Sequence, residues 1–203
     1  MSTREFWNEK FGTDDYAYGT EPNEFLRETV LGMPRGNALS LAEGEGRNAV
    51  WLAEQGYDVS SIEQSEKGVA KMLRLALKRG VVVHPERGDL EDFHIAPNSW
   101  DLVVSVFAHT PSTLRRRLHR EVVAGLVPGG HFLLEAYTPA QIANDTGGPK
   151  DPDLMPTAAL LEKELDGLVF EILREVERDV VEGNLHTGSA RVVQLLARRP
   201  MQG

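Results

Sequence analysis

The stretch from Ala38 to Ser65, ALSLAEGEGRNAVWLAEQGYDVSSIEQS, constrains this chain more than any other. Ala38 to Ala42 is a short apolar run of the buried-strand type. Glu43-Gly44-Glu45-Gly46 follows as a tight turn, in which two glycines let the backbone bend sharply and approach a ligand. Arg47 to Gln55 reads as a helix with Ala49, Val50, Leu52 and Ala53 on its apolar side, stopped by Gly56. Tyr57 to Ile62 is a second strand, and Glu63 stands at its end. Strand, glycine turn, helix and strand in this order specify a parallel α/β unit. The turn offers backbone amides, and 17 residues beyond Gly46 the Glu63 carboxylate can accept from both hydroxyls of a ribose. This is a nucleoside site.

Gly44, Gly46 and Ala49 also satisfy the dinucleotide pattern G-x-G-x-x-A, a weak signal alone. Glu43 and Glu45 flank Gly44 and oppose a diphosphate there. At about 4 Å and an effective dielectric near 20, each like-charge contact costs roughly 4 kcal/mol before screening. A cationic ligand with an amino group and a sulfonium is favoured instead, which points to S-adenosylmethionine.

On these residues the chain resembles the class I S-adenosylmethionine-dependent methyltransferases, in particular the small bacterial type grouped with tellurite-resistance and thiopurine methyltransferase-like proteins. The resemblance runs from FWNEKFGTDDYAYGTEPNEFL to VVQLLARR. It is strongest in LAEGEGRNAVWLAEQGYDV, Glu63, GDLEDF (88–93), WDLVVSVFAH (100–109) and LVPGGHFLLEAY (126–137). Glu43 holds the place where the family more often has aspartate. The resemblance implies a single doubly wound, mostly parallel Rossmann-like sheet of seven strands, with helices on both faces and a C-terminal antiparallel hairpin. It implies S-adenosylmethionine as cofactor, S-adenosylhomocysteine as product and a small-molecule acceptor. Glu43, Gly44, Gly46 and Asn48 are expected around the methionine end, Glu63 at the ribose and Gln64 among the cofactor-binding residues, while the resemblance implies Asp89 and Leu90 around adenine.

The 203 residues fit one domain, a helical cap over 1–36 and a Rossmann-like core over 37–203. A net charge of −9 argues against nucleic acid, which needs a basic face. The basic run Arg115-Arg116-Arg117 reads as a solvated helix face. There is no cysteine, no apolar run long enough to span a membrane and no apolar core of a signal peptide, so a cytoplasmic location is expected. The six histidines show no metal-ligand spacing, and no metal is expected. No heptad marks an oligomer interface.

Phe6, Trp7 and Phe11 share one side of a helix over 2–11, either packing it on the core or letting Trp7 shield the methyl donor. Further helices are expected from Glu21 to about Leu31, over Glu66–Arg79, from Thr110 to about Gly125 and from Thr157 to about Asp166. Strands are expected at Val81–Pro85, Leu102–Val106 and His131–Ala136, then at Leu168–Glu182 and Ala190–Arg198. Residues 138–156 are irregular and read as a cover on the substrate side.

Methyl transfer is a displacement at a carbon that the sulfonium already activates, so the protein must chiefly align the partners and exclude water. A base is needed only for an acceptor that arrives protonated. His109, after the fourth strand, is the first candidate for catalysis, with Tyr137 beside it in role. Trp7, Tyr18, Glu135 and His186 are substrate-side candidates. Two other readings share the same residues. One is a nicotinamide-dependent (NAD(P)) oxidoreductase, opposed by the acidic turn and by the lack of a Tyr-x-x-x-Lys pair. The other is a non-catalytic S-adenosylmethionine-binding protein.

Overall fold

A computed structural model of the chain describes residues 3–144, 146–183 and 186–201. Seven strands form one sheet in the order β3-β2-β1-β4-β5-β7-β6, mostly parallel, ending in an antiparallel hairpin. The chain divides into two compact units, one up to Phe93 together with Glu182–His186, the other His94–Val181 with the residues from Thr187 on.

In the first unit β1 (Asn37–Leu41) pairs in parallel with β2 (Asp58–Glu63), and β2 with β3 (His84–Arg87). Ala38, Leu39 and Leu41 are all buried, as a parallel strand covered on both faces requires. The helices are α1 (Thr3–Lys10), α2 (Glu24–Val30), α3 (Arg47–Glu54) and α4 (Glu66–Arg79). Met72, Leu75 and Ala76 bury the inner stripe of α4, and Gly80 ends that helix in the left-handed conformation expected of a terminator. The turn between β1 and α3 is held by packing. A Cβ on Gly46 would lie 2.4 Å from the Met72 side chain, and one on Gly68 would lie 2.8 Å from the Gly44 carbonyl. These glycines let α3 and α4 close against the turn.

The valine run was expected to form the third strand, but β3 starts at His84, and Val82 is exposed. The register decides this, because Ser60 to Glu63 of β2 face His84 to Arg87. The paired residues HPER are charged and carry a proline, which suits a short strand at the edge of a sheet.

In the second unit β4 (Trp100–Val106) pairs in parallel with β5 (Leu126–Tyr137), and β5 pairs antiparallel with β7 (His186–Arg198). Leu102, Val103, Val104, Phe132 and Leu133 are buried, each contributing about 1.5–3 kcal/mol of hydrophobic stabilisation. The strand β5 is longer than expected and takes in Pro128-Gly129-Gly130, while its register with β4 shifts between Trp100 and Leu102. Next to β7, β6 (Val169–Glu182) shows charged residues to solvent. The helix α5 (Ser112–Gly125) has Pro111 at its N-cap, one residue beyond Thr110, the cap expected from the sequence. No local side chain caps it; the distant Asp153 carboxylate accepts from the Ser112 amide at 2.9 Å. The irregular stretch contains two 3-10 turns, Pro139–Ala143 and Pro152–Leu154, before α6 (Ala158–Glu164).

Candidate functional site

The glycine turn of the first unit is stitched by two buried carboxylates. Glu43 points into the start of α3, where its Oε1 accepts from the amides of Asn48 and Ala49, each at 2.9 Å. Its Oε2 accepts from the Ser40 hydroxyl. A carboxylate in that place satisfies the orphan amides of a helix start and meets the positive end of its dipole. Burial nevertheless pushes the Glu43 carboxyl up. Glu63 Oε1 accepts from the Ser65 amide at 2.7 Å, and Oε2 from the Gly44 amide at 2.8 Å. Burial raises its pKa, with the Asp89 charge adding, against the bonds from those amides. Each Glu63 oxygen has two lone pairs, so both retain acceptor capacity.

Glu45 does not supply the free negative charge that the sequence suggested for this turn. Its Oε1 pairs with Lys71 Nζ at 2.6 Å, and its Oε2 accepts from the Ala17 amide at 2.7 Å. The Coulomb argument against a diphosphate therefore loses one of its two carboxylates. Gly44 and Gly46 both have positive φ, 69° and 96°. At Gly46 the requirement for glycine comes from Met72, whereas at Gly44 an added Cβ would meet the Phe11 ring at 3.3 Å.

Asn48 Oδ1 accepts from the Asn23 amide at 2.9 Å, while Asn23 caps α2. Asn23 Nδ2 donates to Glu182 at 2.8 Å, and Arg47 Nη2 pairs with the same carboxylate at 2.6 Å. The first residues of α3 are thereby tied to the tip of the β6–β7 hairpin. Asn23, Glu182 and Lys71 gave no signal in the sequence, because their partners lie far along the chain. Asp89 Oδ1 accepts from the Glu91 amide, closing a local turn, and Leu90 is buried. Gln64 Oε1 is buried without a hydrogen-bond partner, as is Arg47 Nη1.

Trp7 stacks on Phe11 with centroids 5.2 Å apart, and Tyr18 meets Phe11 edge-on at 6.4 Å. The Lys10 ammonium lies 5.1 Å from both the Trp7 and Tyr18 ring centroids, and burial lowers its pKa. The helix α1 is fastened by Asn8 Oδ1, which accepts from the Ser65 hydroxyl at 2.7 Å.

In the second unit His109 and Tyr137 come together. Their rings stack at 5.6 Å with an interplanar angle of 7°, and Phe107 packs on Tyr137 at 4.8 Å. Phe107 adopts a left-handed φ of 52°, rare for an aromatic residue and typical of functional turns. His109 Nδ1 lies 3.2 Å from the Leu154 carbonyl oxygen. Glu135 is fully buried and bound in a network: Arg178 Nε and Nη2 reach its two oxygens at 2.9 Å, and Gln194 Nε2 donates at 2.8 Å. Its register partner on β7 is that same Gln194. Glu135 thus cross-braces the sheet, which the substrate-side expectation did not foresee. His186 opens β7, and its side chain lies outside the described residues.

Residues 38–130 match a family described as a methyltransferase domain. A structure of TehB from Haemophilus influenzae covers 97% of this chain and 66% of its own, at 18% identity and a TM-score of 0.72. The N-methyltransferase NodS from Bradyrhizobium japonicum WM9, solved with S-adenosyl-l-homocysteine, covers 98% of this chain and 100% of its own, at 16% identity and a TM-score of 0.73. Hemagglutinin 1 from Eikenella corrodens is 28% identical over 119 residues, which are 57% of this chain and 39% of that protein. The chain therefore spans well under half of that relative. The family match over residues 38–130 and the strand order agree: the chain has the fold of the class I S-adenosylmethionine-dependent methyltransferases, similar to TehB.

Proposed function

We propose that this protein binds S-adenosylmethionine and transfers its methyl group to a small-molecule acceptor. The observation that carries this reading is the methyltransferase-domain match over 38–130, the segment holding the Glu43–Gly46 turn, Glu63 and Gln64. The donor set fits the cofactor. Glu63 keeps acceptor capacity for ribose hydroxyls, and Gln64 Oε1 and Arg47 Nη1 are a buried acceptor and a buried donor without partners. A zwitterionic nucleoside needs both kinds. Gly44, Gly46 and Asn48 shape the turn, Asp89 and Leu90 serve the adenine side, and Glu43 acts by holding the helix start. Nothing in the comparisons favours the oxidoreductase or the non-catalytic reading.

Bound S-adenosylmethionine supplies an activated methyl carbon, whose bond to sulfur breaks as the acceptor's electron pair forms the new bond, leaving neutral S-adenosylhomocysteine. His109 serves as base for an acceptor that arrives protonated. A carbonyl oxygen only accepts, so the ring nitrogen facing Leu154 carries the proton and Nε2 holds the lone pair. Tyr137 fixes the plane of the imidazole by stacking. Trp7 and Tyr18 shield the donor. No helix among the described residues is long and apolar enough to cross a membrane. The net charge of −9 and the lack of metal-ligand spacing among the histidines support an enzyme that acts without nucleic acid or metal.

The test is turnover of methyl-labelled S-adenosylmethionine with separate alcohol, amine, thiol, selenide, tellurite and halide acceptors. Label transfer with equal formation of S-adenosylhomocysteine is expected for at least one class. If that acceptor is an alcohol or amine, His109→Gln should lower kcat by about 10²–10⁴-fold. Absence of both transfer and S-adenosylhomocysteine binding contradicts the proposal.

A further inference from the structure

The run Arg115-Arg116-Arg117 is not a uniform solvated face. Arg115 is only 6% exposed and lies on the inner stripe of α5 with Leu118, His119 and Val122. Its Nε and Nη2 grip the two oxygens of Glu164 on α6, each at 3.1 Å. His119 Nδ1 reaches the same carboxylate at 2.8 Å. The remaining arm, Nη1, donates to the backbone carbonyl of Asp153 at 2.8 Å. The Asp153 side chain in turn accepts from the Ser112 amide at the start of α5. Asp153 is thus tied to α5 twice, once through its main chain and once through its carboxylate. The next residue is Leu154, whose carbonyl faces His109 Nδ1.

We propose that Arg115 is a positioning residue that sets the tautomer of His109 through the 3-10 turn Pro152–Leu154. The proposal rests on the reading of His109 as a base and names what makes it one. Free imidazole exchanges its proton between two nitrogens, and the partner of one nitrogen decides the state of the other. Clamped by Arg115 and Ser112, the turn presents an acceptor to Nδ1, and Nε2 is left as the basic nitrogen. Bidentate capture by Glu164 fixes the guanidinium plane, so its third arm is aimed rather than free. A lysine at 115 retains a donor for the Asp153 carbonyl and loses the fork.

The tautomer is read directly on the ligand-free full chain labelled with ¹⁵N-histidine, by long-range ¹H–¹⁵N correlation above the imidazole titration range. The signals of His109 are assigned by their loss in His109→Gln. Wild type is expected to show Nδ1–H. Arg115→Met should shift the Nδ1–H to Nε2–H ratio by about tenfold, the equivalent of one hydrogen bond at about 1.4 kcal/mol. Arg115→Lys should restore most of it. Should Arg115→Met fail to fold, Asp153→Ala decides, since it removes an exposed side chain and one of the two ties; a shift of about threefold is expected there. Nε2–H in wild type overturns the proposal, as does an unchanged ratio in a folded Arg115→Met or, failing that, in Asp153→Ala. No acceptor is present in this measurement. Turnover by His109→Gln tests the base reading separately, so the two failures are distinguishable.

Discussion

Removing the Glu63 carboxylate should weaken the fold before any ligand is added. Its two oxygens are the partners of the Gly44 and Ser65 amides, at 2.8 and 2.7 Å, and both residues are buried. In Glu63→Ala these amides lose their acceptor, and a buried unpaired donor costs about 1–3 kcal/mol. Two give roughly 2–6 kcal/mol. Burial already strains the ionised carboxylate, so its removal returns part of that cost, and water entering the void returns more. A net loss of about 2–4 kcal/mol is expected, or roughly 4–16 °C in Tm for a chain of this length. Glu63→Gln keeps one acceptor oxygen and should lose about 1–3 kcal/mol. Asp89→Ala, which frees only the Glu91 amide at an exposed turn, is the control and should stay within about 1 kcal/mol. Thermal unfolding without ligand measures all three. Under the proposed function, Glu63→Ala also loses ribose bonds to a charged acceptor, at about 1.5–3 kcal/mol each. Calorimetry with S-adenosylhomocysteine should then show affinity reduced by about 10²–10⁴-fold. A Glu63→Ala protein melting within about 2 °C of wild type refutes the claim that this carboxylate holds the turn.

Gly46→Ala combines a left-handed φ with a Cβ driven into Met72, and strain plus overpacking should cost about 2–5 kcal/mol in denaturant unfolding. Gly80→Ala, also at positive φ but with nothing within 4 Å, should cost only about 1–2 kcal/mol, and equal losses contradict the packing account. Arg178→Met strands the buried Glu135 charge and should lower stability by about 3–5 kcal/mol; adding Glu135→Leu should recover most of it in the same assay. Burial holds His119 below its ordinary 6.5 despite the Glu164 carboxylate beside it, with Arg115 acting in the same direction as burial. A lowered folded pKa gives stability that is full above 6.5 and is lost as pH falls from there towards the folded value. Comparing Tm at pH 7.5 and 5.5, His119→Gln should lose less than wild type, and identical losses contradict this assignment.

The glycine turn was legible because apolar strand, two glycines and helix follow one another along the chain; that Glu43 caps this helix and Glu63 bonds the Ser65 and Gly44 amides was not read from it. The strand order and the closing hairpin followed from the resemblance. What the sequence hid were partners brought from far along the chain. Glu45 looked like free charge until Lys71 was seen beside it, and Glu135 looked available until Arg178 and Gln194 enclosed it. Arg115 was open to a better reading, since Arg115, Leu118, His119 and Val122 follow the buried stripe of a helix and mark this arginine as inward. The three valines at 81–83 misled because β-branched composition favours a strand, whereas register with β2 selected the next four residues.

The central claim, that the turn with Glu63 holds an adenosyl amino acid, is tested most directly by thermal unfolding with S-adenosylhomocysteine, S-adenosylmethionine and NAD at equal concentration. A ligand at a hundred times its dissociation constant stabilises the fold by about 2.7 kcal/mol, which is roughly 5–11 °C at this chain length. Shifts of that order with the two adenosyl ligands and none with NAD are predicted. A shift with NAD alone would contradict the account and reinstate the oxidoreductase.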